Sequence, residues 1–335
     1  MIDYYLAWYL QAKKAYEQVC SIEVPKNYLT KVNSIVFVGM GGSGIVGDFV
    51  VSLAHDKLGI PVFSIKDYRL PSWINEDTLV ISVSYSGNTR ETILATLEAL
   101  KKKSKVVMIS SGGVLKSLSA KYSTLHISVE GGLVPRAALP SMLYTVLAFL
   151  ERISLPAAPR DDIIRSIENL KLWCNSSEVH SESKGIADFL SNSIPIIVSC
   201  FRFSPLAYRL KNELNENSKI PAKVEVVPEW GHNDIVGWEM PVAVDSMRCL
   251  VLDCGEDMCR PILDFAGKSI SNAGVKCRTL ELKGESTLDK FMYGSFIGGL
   301  ASVYLAKSRN VNPIETRSIS EYKKLITKLI NINIV

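Results

Sequence analysis

The chain has 335 residues, of which 47% are hydrophobic and 21% charged, and its formal net charge is +4. This length suits two domains of roughly 100 to 200 residues each, and the composition excludes a wholly disordered chain. The charge is too small and too dispersed for a nucleic-acid binder, and no segment reaches the about 20 apolar residues of a membrane span. A small anionic ligand suits this balance.

The first half alternates short apolar runs with amphipathic stretches, a pattern typical of β-α-β units and a mostly parallel sheet. Strands are predicted over 34–38, 61–65, 79–83, 105–110 and 124–129. Helices are predicted over 43–58, 89–102, 114–121 and 137–153. Residues 1–155 therefore form a doubly wound domain, which a helical linker over 156–190 follows.

The same alternation restarts after the linker. Strands are predicted over 194–200, 223–227, 248–253 and 276–282, and helices over 205–214, 258–272, 287–307 and 318–330. The fold class is thus α/β, with two doubly wound parallel-sheet domains, the second over 191–335. The halves look like divergent copies of one architecture, although no sequence repeat is strong enough to prove a duplication.

Seven cysteines and a start without a basic, apolar leader indicate a reducing compartment, so we expect a cytoplasmic protein. Cys249, Cys254 and Cys259 are spaced by five, which matches no common zinc motif, and the four histidines lie far apart. We therefore predict neither a metal nor another cofactor.

A glycine-rich loop follows the first strand and includes Gly41, Gly42 and Ser43. Unpaired amides at the start of the next helix would bind phosphate, and the Ser43 hydroxyl could add a donor. Gly39, Gly41 and Gly44 also satisfy the dinucleotide fingerprint, with Asp67 further on, so a nicotinamide oxidoreductase is an alternative. A tight packing turn without a ligand is another.

A second loop crowds hydroxyl groups onto another helix start. Ser84 and Ser86 lie between the strand over 79–83 and the helix over 89–102, and Thr89 is the first residue of that helix. Each hydroxyl could donate to a phosphate oxygen while the helix amides supply further donors. The simpler alternative is helix capping, but a cap needs only one hydroxyl. Two cradles favour a phosphate ligand over a nicotinamide.

Together, these loops resemble the sugar isomerase (SIS) fold family, whose members bind phosphosugars on such loops. Three further motifs are similar to those of the bifunctional phosphoglucose/phosphomannose isomerases known mainly from archaea, namely 134–140, 215–217 and 231–233. This resemblance spans nearly the whole chain. It implies interconversion of glucose 6-phosphate and mannose 6-phosphate with fructose 6-phosphate, without a cofactor.

An aldose-ketose isomerase must open the sugar ring and move a proton between C1 and C2 through an enediol. A carboxylate suits that proton transfer, and Glu213 and Glu216 lie on one helical face, so the residues alone leave both open. The resemblance implies Glu216. For ring opening we expect His232, because a histidine side chain can both take and give a proton near neutral pH. The resemblance implies that it arrives from the partner subunit of a homodimer.

Three further residues complete the predicted site. Arg136, at a helix start after Pro135, could stabilise an enediolate oxygen, or could form an ordinary ion pair. The resemblance implies that Lys323 contacts the substrate and that Thr316 helps to admit either C2 epimer; adjacent Lys324 remains an alternative. We expect the reaction centre between the domains, at the carboxyl ends of the first sheet's strands.

The second domain lacks the glycine loop, since residues 199–204 replace it, so we expect one phosphate site per chain. A phosphosugar-binding regulator without catalysis is a rival interpretation. The acid-base residues in the second domain speak against it. An isomerase acting on an amino sugar or on another chain length stays open.

Overall fold

The structure is a computed structural model that describes residues 1–330. Its chain divides into two compact units, each assembled from two stretches. The first unit consists of Ala7–Ile167 and the C-terminal segment that begins at Glu315, and the second unit of Met1–Leu6 and Glu168–Ile314. This exchange of terminal stretches is not visible in the sequence, and the predicted boundaries at 155 and 191 stay predictions.

Both units are built on parallel sheets, as the sequence predicts. The strands are β1 (Ser34–Val38), β2 (Val62–Ile65), β3 (Thr78–Val83), β4 (Lys105–Ser110), β5 (Leu125–Ser128), β6 (Ile194–Cys200), β7 (Lys223–Val227), β8 (Met247–Asp253) and β9 (Lys276–Glu281). The first sheet has the order β2-β1-β3-β4-β5 and the second the order β7-β6-β8-β9. Strands β6 and β8 therefore hold the positions in the second sheet that β1 and β3 hold in the first.

The helices surround these sheets. They are α1 (Ile2–Leu6), α2 (Trp8–Ser21), α3 (Gly41–Ala54), α4 (Arg90–Lys101), α5 (Gly113–Tyr122), α6 (Leu139–Arg152), α7 (Arg160–Cys174), α8 (Ser177–Phe189), α9 (Ser204–Glu213), α10 (Cys259–Asn272), α11 (Thr287–Ser308) and α12 (Arg317–Leu329). Helix α3 ends at Ala54, four residues before the predicted end. The predicted linker is helical, with α7 and α8. Among residues 1–330, no helix is long and apolar enough to cross a membrane.

The cores explain why these elements form. Every residue of β1 and β3 is buried, which is expected of parallel strands covered by helices on both faces. Helix α6 is buried from Leu139 to Leu150, and α2 packs against it. Helix α2 has a buried stripe at helical spacing, Trp8, Ala12, Ala15 and Val19. The sequence interpretation did not identify α1 or α2.

Candidate active site

The two phosphate loops lie side by side in the first unit. Strands β1 and β3 pair in parallel, with Val38 opposite Ser82, so the loops that follow them leave the same edge of the sheet. The backbone N–H of Tyr85 donates to Ser43 Oγ at 3.0 Å. Ser43 is 5% exposed. Its hydroxyl thus joins the two loops, and its predicted contact with phosphate stays a prediction.

The hydroxyl groups of the second loop differ in exposure. Ser84 is 1% exposed and donates to Thr89 Oγ1 at 3.0 Å. Ser86 is exposed, and its Oγ accepts the N–H of Asn88 at 3.2 Å. Ser86 and the half-buried Thr89 are therefore the hydroxyl groups that face outward at this helix start.

Neither helix start is capped by the side chain of its N-cap residue. Within residues 1–330, neither N-cap residue, Met40 for α3 nor Thr89 for α4, caps its helix with a side-chain hydrogen bond. The alternative of simple capping by Thr89 is therefore not what the structure has. First-turn N–H groups that no side chain caps, at the positive end of a helix dipole, suit a bound phosphate.

Two glycines allow the loops to approach the surrounding backbone. Gly87 has a φ of +68°, and a Cβ there would lie 1.9 Å from the carbonyl oxygen of Gly112. A Cβ on Gly42 would lie 3.0 Å from the backbone nitrogen of Arg136. Any side chain at Gly87 would have to displace the neighbouring turn. These contacts account for glycine at both positions.

Arg136 lies against the first loop. It belongs to the short 3₁₀ helix Pro135–Ala138 and is 4% exposed. The indole N–H of Trp8 donates to the Ala137 carbonyl at 2.9 Å, and the Tyr85 hydroxyl bonds the preceding turn through Glu130 O at 2.8 Å. The structure thus brings the Arg136 segment and both loops together.

The C-terminal helix of the first unit reaches the second loop's helix. The Tyr322 hydroxyl donates to Glu91 Oε1 at 3.3 Å, and Glu91 lies in the first turn of α4. This carboxylate raises the pKa of Tyr322. Thr316 is the half-buried N-cap residue of α12, while Lys323 and Lys324 are both exposed. The choice between the lysines stays open.

Glu213 and Glu216 occupy very different surroundings in the second unit. Glu213 is 1% exposed and accepts hydrogen bonds from Tyr5 at 2.5 Å, Arg209 at 2.5 Å and Asn217 at 2.8 Å. Burial, followed by the Glu213 charge, raises the pKa of Tyr5 well above its usual value, so Tyr5 remains a donor. Glu213 is held as a structural anion.

Glu216 lies three residues further, where the chain leaves α9. It is half-buried and belongs to a single π-helical turn, Leu214–Ser218. The backbone carbonyl of Glu216 accepts a hydrogen bond from Lys219 Nζ at 2.5 Å. Such π turns recur at functional sites because they re-aim side chains that a regular helix would bury.

His232 lies on the other side of strand β7. It ends the 3₁₀ helix Glu229–His232 and is exposed. Glu216 precedes β7 and His232 follows it, so the strand's length, roughly 16 Å, separates them along the sheet. Within one chain, the structure therefore places these two predicted catalytic residues beyond opposite ends of strand β7.

Two positioning residues escaped the sequence interpretation. Tyr85 bonds Ser43, the turn at Glu130 and the Leu133 N–H, and Trp8 bonds Ala137. A buried tyrosine between two serines of a candidate phosphate loop was a signal that could have drawn notice. Trp8, which is distant in the chain, gave none.

Two family models match the sequence. The SIS domain model matches residues 28–148, and the model for the bacterial phospho-glucose isomerase C-terminal SIS domain matches residues 179–326. The first match includes the paired loops, and the second includes Glu216 and His232. The first match lies within the first unit, and the second runs from the second unit into the C-terminal segment of the first.

Solved structures share the architecture. The C-terminal domain of glucosamine-fructose-6-phosphate aminotransferase from Francisella tularensis aligns with a TM-score of 0.71 at 15% identity. The alignment covers 93% of this chain and 98% of that one. At this identity the likeness concerns the fold alone.

Curated relatives extend the likeness to nearly the whole chain. A bifunctional phosphoglucose/phosphomannose isomerase from Aquifex aeolicus is 33% identical over 303 residues, 90% of this chain and 92% of that protein. One from Aeropyrum pernix is 31% identical over 332 residues, 97% of each chain. With the paired loops and both family matches, this identity shows that the chain belongs to the family of bifunctional phosphoglucose/phosphomannose isomerases.

Proposed function

We propose that this protein interconverts fructose 6-phosphate with glucose 6-phosphate and mannose 6-phosphate. The observation that carries the proposal is the pair of loops that the Tyr85 to Ser43 hydrogen bond holds together at one sheet edge. Family membership supports the same reaction. The paired loops form one phosphate site, so the substrate is a sugar monophosphate. Moving a hydrogen between two carbons of one sugar makes the enzyme an intramolecular oxidoreductase.

The phosphoryl group binds at the start of α4 and of α3. Ser86 and Thr89 donate from their hydroxyl groups, Ser84 supports Thr89, and Gly41, Gly42 and Ser43 form the facing turn. Neutral donors and helix dipoles hold the dianion without a lysine. The sugar carbons then extend away from the loops.

Glu216 is the proposed base. It takes the proton from C2 of the aldose or from C1 of the ketose and returns it to the other carbon through an enediol. The surroundings of Glu213 support this choice, since its carboxylate is committed to Arg209, Tyr5 and Asn217. Return of the proton to either face of C2 yields glucose or mannose 6-phosphate.

His232 is proposed to open the sugar ring from across a homodimer interface. In one chain, Glu216 and His232 lie beyond opposite ends of strand β7, which supports a site completed by His232 of the partner subunit. At neutral pH an imidazole can accept a proton from the anomeric hydroxyl and donate one to the ring oxygen, which opens the ring.

The remaining predicted residues fit the same reaction. The backbone of Arg136 lies beside Gly42 in the first loop, and its guanidinium is proposed to stabilise the enediolate oxygen. Thr316 and Lys323 belong to the helix that contacts Glu91 and are proposed to contact the sugar. No redox or metal cofactor enters this proton transfer. In residues 1–330, which include all seven cysteines, no disulfide forms, and this supports a cytoplasmic location.

Proton NMR tests the proposal directly. Fructose 6-phosphate is incubated with the purified protein in the presence of a chelator, and both aldose phosphates are expected to form. Absence of both products rejects the isomerase and leaves the binding-only regulator. Incubation with glucosamine 6-phosphate is the control for an amino-sugar isomerase, and faster turnover of that compound would replace the proposed substrate class.

A further inference from the structure

A cluster of thiols lies at the carboxyl edge of the second sheet. Cys200 ends β6, Cys254 follows β8, and Cys259 begins α10, with Glu256 between them. One ligand atom of each, three Sγ atoms and a carboxylate oxygen, lies within 4.8 Å of every other. We propose that these four residues bind a single Zn²⁺ ion.

The separations suit one four-coordinate ion. The Sγ atoms of Cys200 and Cys254 are 3.4 Å apart, and Cys259 Sγ lies 3.4 Å from Glu256 Oε2. A tetrahedral zinc with Zn–S bonds of about 2.3 Å has ligand-to-ligand edges of about 3.8 Å, so small shifts would complete the site. Thiolates with one carboxylate form a donor set that zinc accepts.

Zinc spacing rules missed this set because the fourth ligand comes from another strand. Cys254 and Cys259 alone form no recognised motif, and Cys200 lies 54 residues before Cys254. Parallel pairing of β6 with β8 brings the ends of the two strands together. Cys249 and Cys277, which the register of β8 and β9 places opposite each other, lack such a third and fourth ligand among the described residues.

Backbone hydrogen bonds fix the turn that carries three of the four proposed ligands. The turn after β8 is fixed by the Gly255 N–H, which donates to Asp253 Oδ1 at 2.8 Å, and by the Cys259 N–H, which donates to Glu256 O at 3.0 Å. Backbone hydrogen bonds from Phe203 and Glu256 reach Cys200 and Cys254. Such outer contacts orient ligating sulfurs.

Nearby cations offset the negative charge of the donor set. Arg202 Nη1 lies 3.9 Å from Glu256 Oε1, and Lys290 Nζ donates to the carbonyl oxygen of Cys254 at 2.7 Å. Cys200 and Cys254 are buried, while Glu256 and Cys259 are half-buried. The half-buried pair gives an ion a path from solvent into the cluster.

Cobalt titration of the tag-free, reduced protein tests the proposal. One Co²⁺ per chain is expected to produce thiolate charge-transfer and tetrahedral visible bands, which Zn²⁺ abolishes by displacement. Zn²⁺ is also expected to protect the half-buried Cys259, and not the half-buried Cys20, from alkylation mapped by mass spectrometry. Absence of the bands, or an unprotected Cys259, overturns the proposal.

Variants then assign the ligands. Cys259→Ser is expected to weaken Zn²⁺ binding by more than the roughly 10- to 100-fold that loss of an outer-sphere partner costs. Cys277→Ser, from the neighbouring thiol pair, should leave binding within about twofold, since its contacts lie outside the cluster. Unchanged affinity in Cys259→Ser contradicts the site. If Cys259→Ser does not fold, the same affinity loss is required of Glu256→Gln, and the alkylation pattern of the unmodified protein still decides.

Discussion

The carboxyl edges of the two sheets have the same topology and opposite chemistry. Glycines and hydroxyl residues follow β1 and β3, and Ser84 comes directly after β3. In the second sheet a thiol takes this place, since Cys200 ends β6 and Cys254 comes directly after β8. The first edge suits a hard, doubly charged anion and the second a soft cation. A shared strand order fixes where a ligand can bind, while a few loop side chains decide which kind.

The largest expected effect is a difference in stability between variants in the turn after β3 and in the turn after β8. Gly87 and Gly255 both have a φ of +68°, but a Cβ would lie 1.9 Å from Gly112 O in one case and 3.7 Å from the flexible Lys290 Nζ in the other. Gly87→Ala is expected to cost about 4 kcal/mol or more, and Gly255→Ala about 1–2 kcal/mol. Denaturant unfolding measures both free energies, and equal losses would contradict the close approach.

A second pair of variants tests whether catalysis and stability separate at α9. Glu216→Gln is expected to lower kcat by about 10²- to 10⁴-fold with little loss of stability. Glu213→Gln should destabilise the fold by about 3–5 kcal/mol, because Arg209 would lose its buried partner. Rates come from a coupled assay and stabilities from urea unfolding. Full activity in Glu216→Gln would move the base elsewhere.

Two buried serines give a smaller contrast. Ser43→Ala leaves the Tyr85 N–H without its acceptor and should cost about 1–3 kcal/mol. Ser199, near the end of β6, is equally buried, and its hydroxyl has no hydrogen-bond partner in the described part of the chain. Ser199→Ala removes a buried hydroxyl that lacks a partner and should therefore leave the unfolding free energy unchanged or raise it by about 1 kcal/mol. Thermal unfolding of the two variants checks this, and the reverse order would refute the role of Ser43 as a bridge.

The smallest expected effect concerns substrate affinity. Ser86 is exposed, so Ser86→Ala should keep the fold while it raises KM for fructose 6-phosphate about tenfold, as loss of one hydrogen bond to a charged group does. Ser204→Ala, at the start of α9 in the second unit, is the control, and its KM should not change. Steady-state kinetics of both variants give the two KM values and show which sheet binds the substrate. An equal rise in KM for Ser204→Ala would break the comparison.

The sequence was sufficient for the sheets because their strands are short apolar runs between turn residues. It also predicted both phosphate loops, since each loop carries its glycines and hydroxyls within a few positions. It did not reveal that Ser43 bonds Tyr85, or that Cys200 meets Cys254, because those contacts join different strands. Local spacing cannot report tertiary neighbours.

The choice between two glutamates shows the same limit. Glu213 and Glu216 share a helical face in the sequence, and the burial of Glu213 with its contacts to Arg209, Asn217 and the distant Tyr5 sets them apart. Helix α2 is not among the predicted elements, although its buried residues Trp8, Ala12, Ala15 and Val19 recur at helical spacing. Residues 331–335 lie outside the described part of the chain.

A crystal structure with bound fructose 6-phosphate tests the central claim most directly. We predict that the phosphorus atom lies beside Ser86 and Thr89, within hydrogen-bond reach of the first amides of α4. A phosphoryl group found instead at the edge formed by β6 and β8, beside Cys200 and Cys254, would contradict the assignment of the two edges.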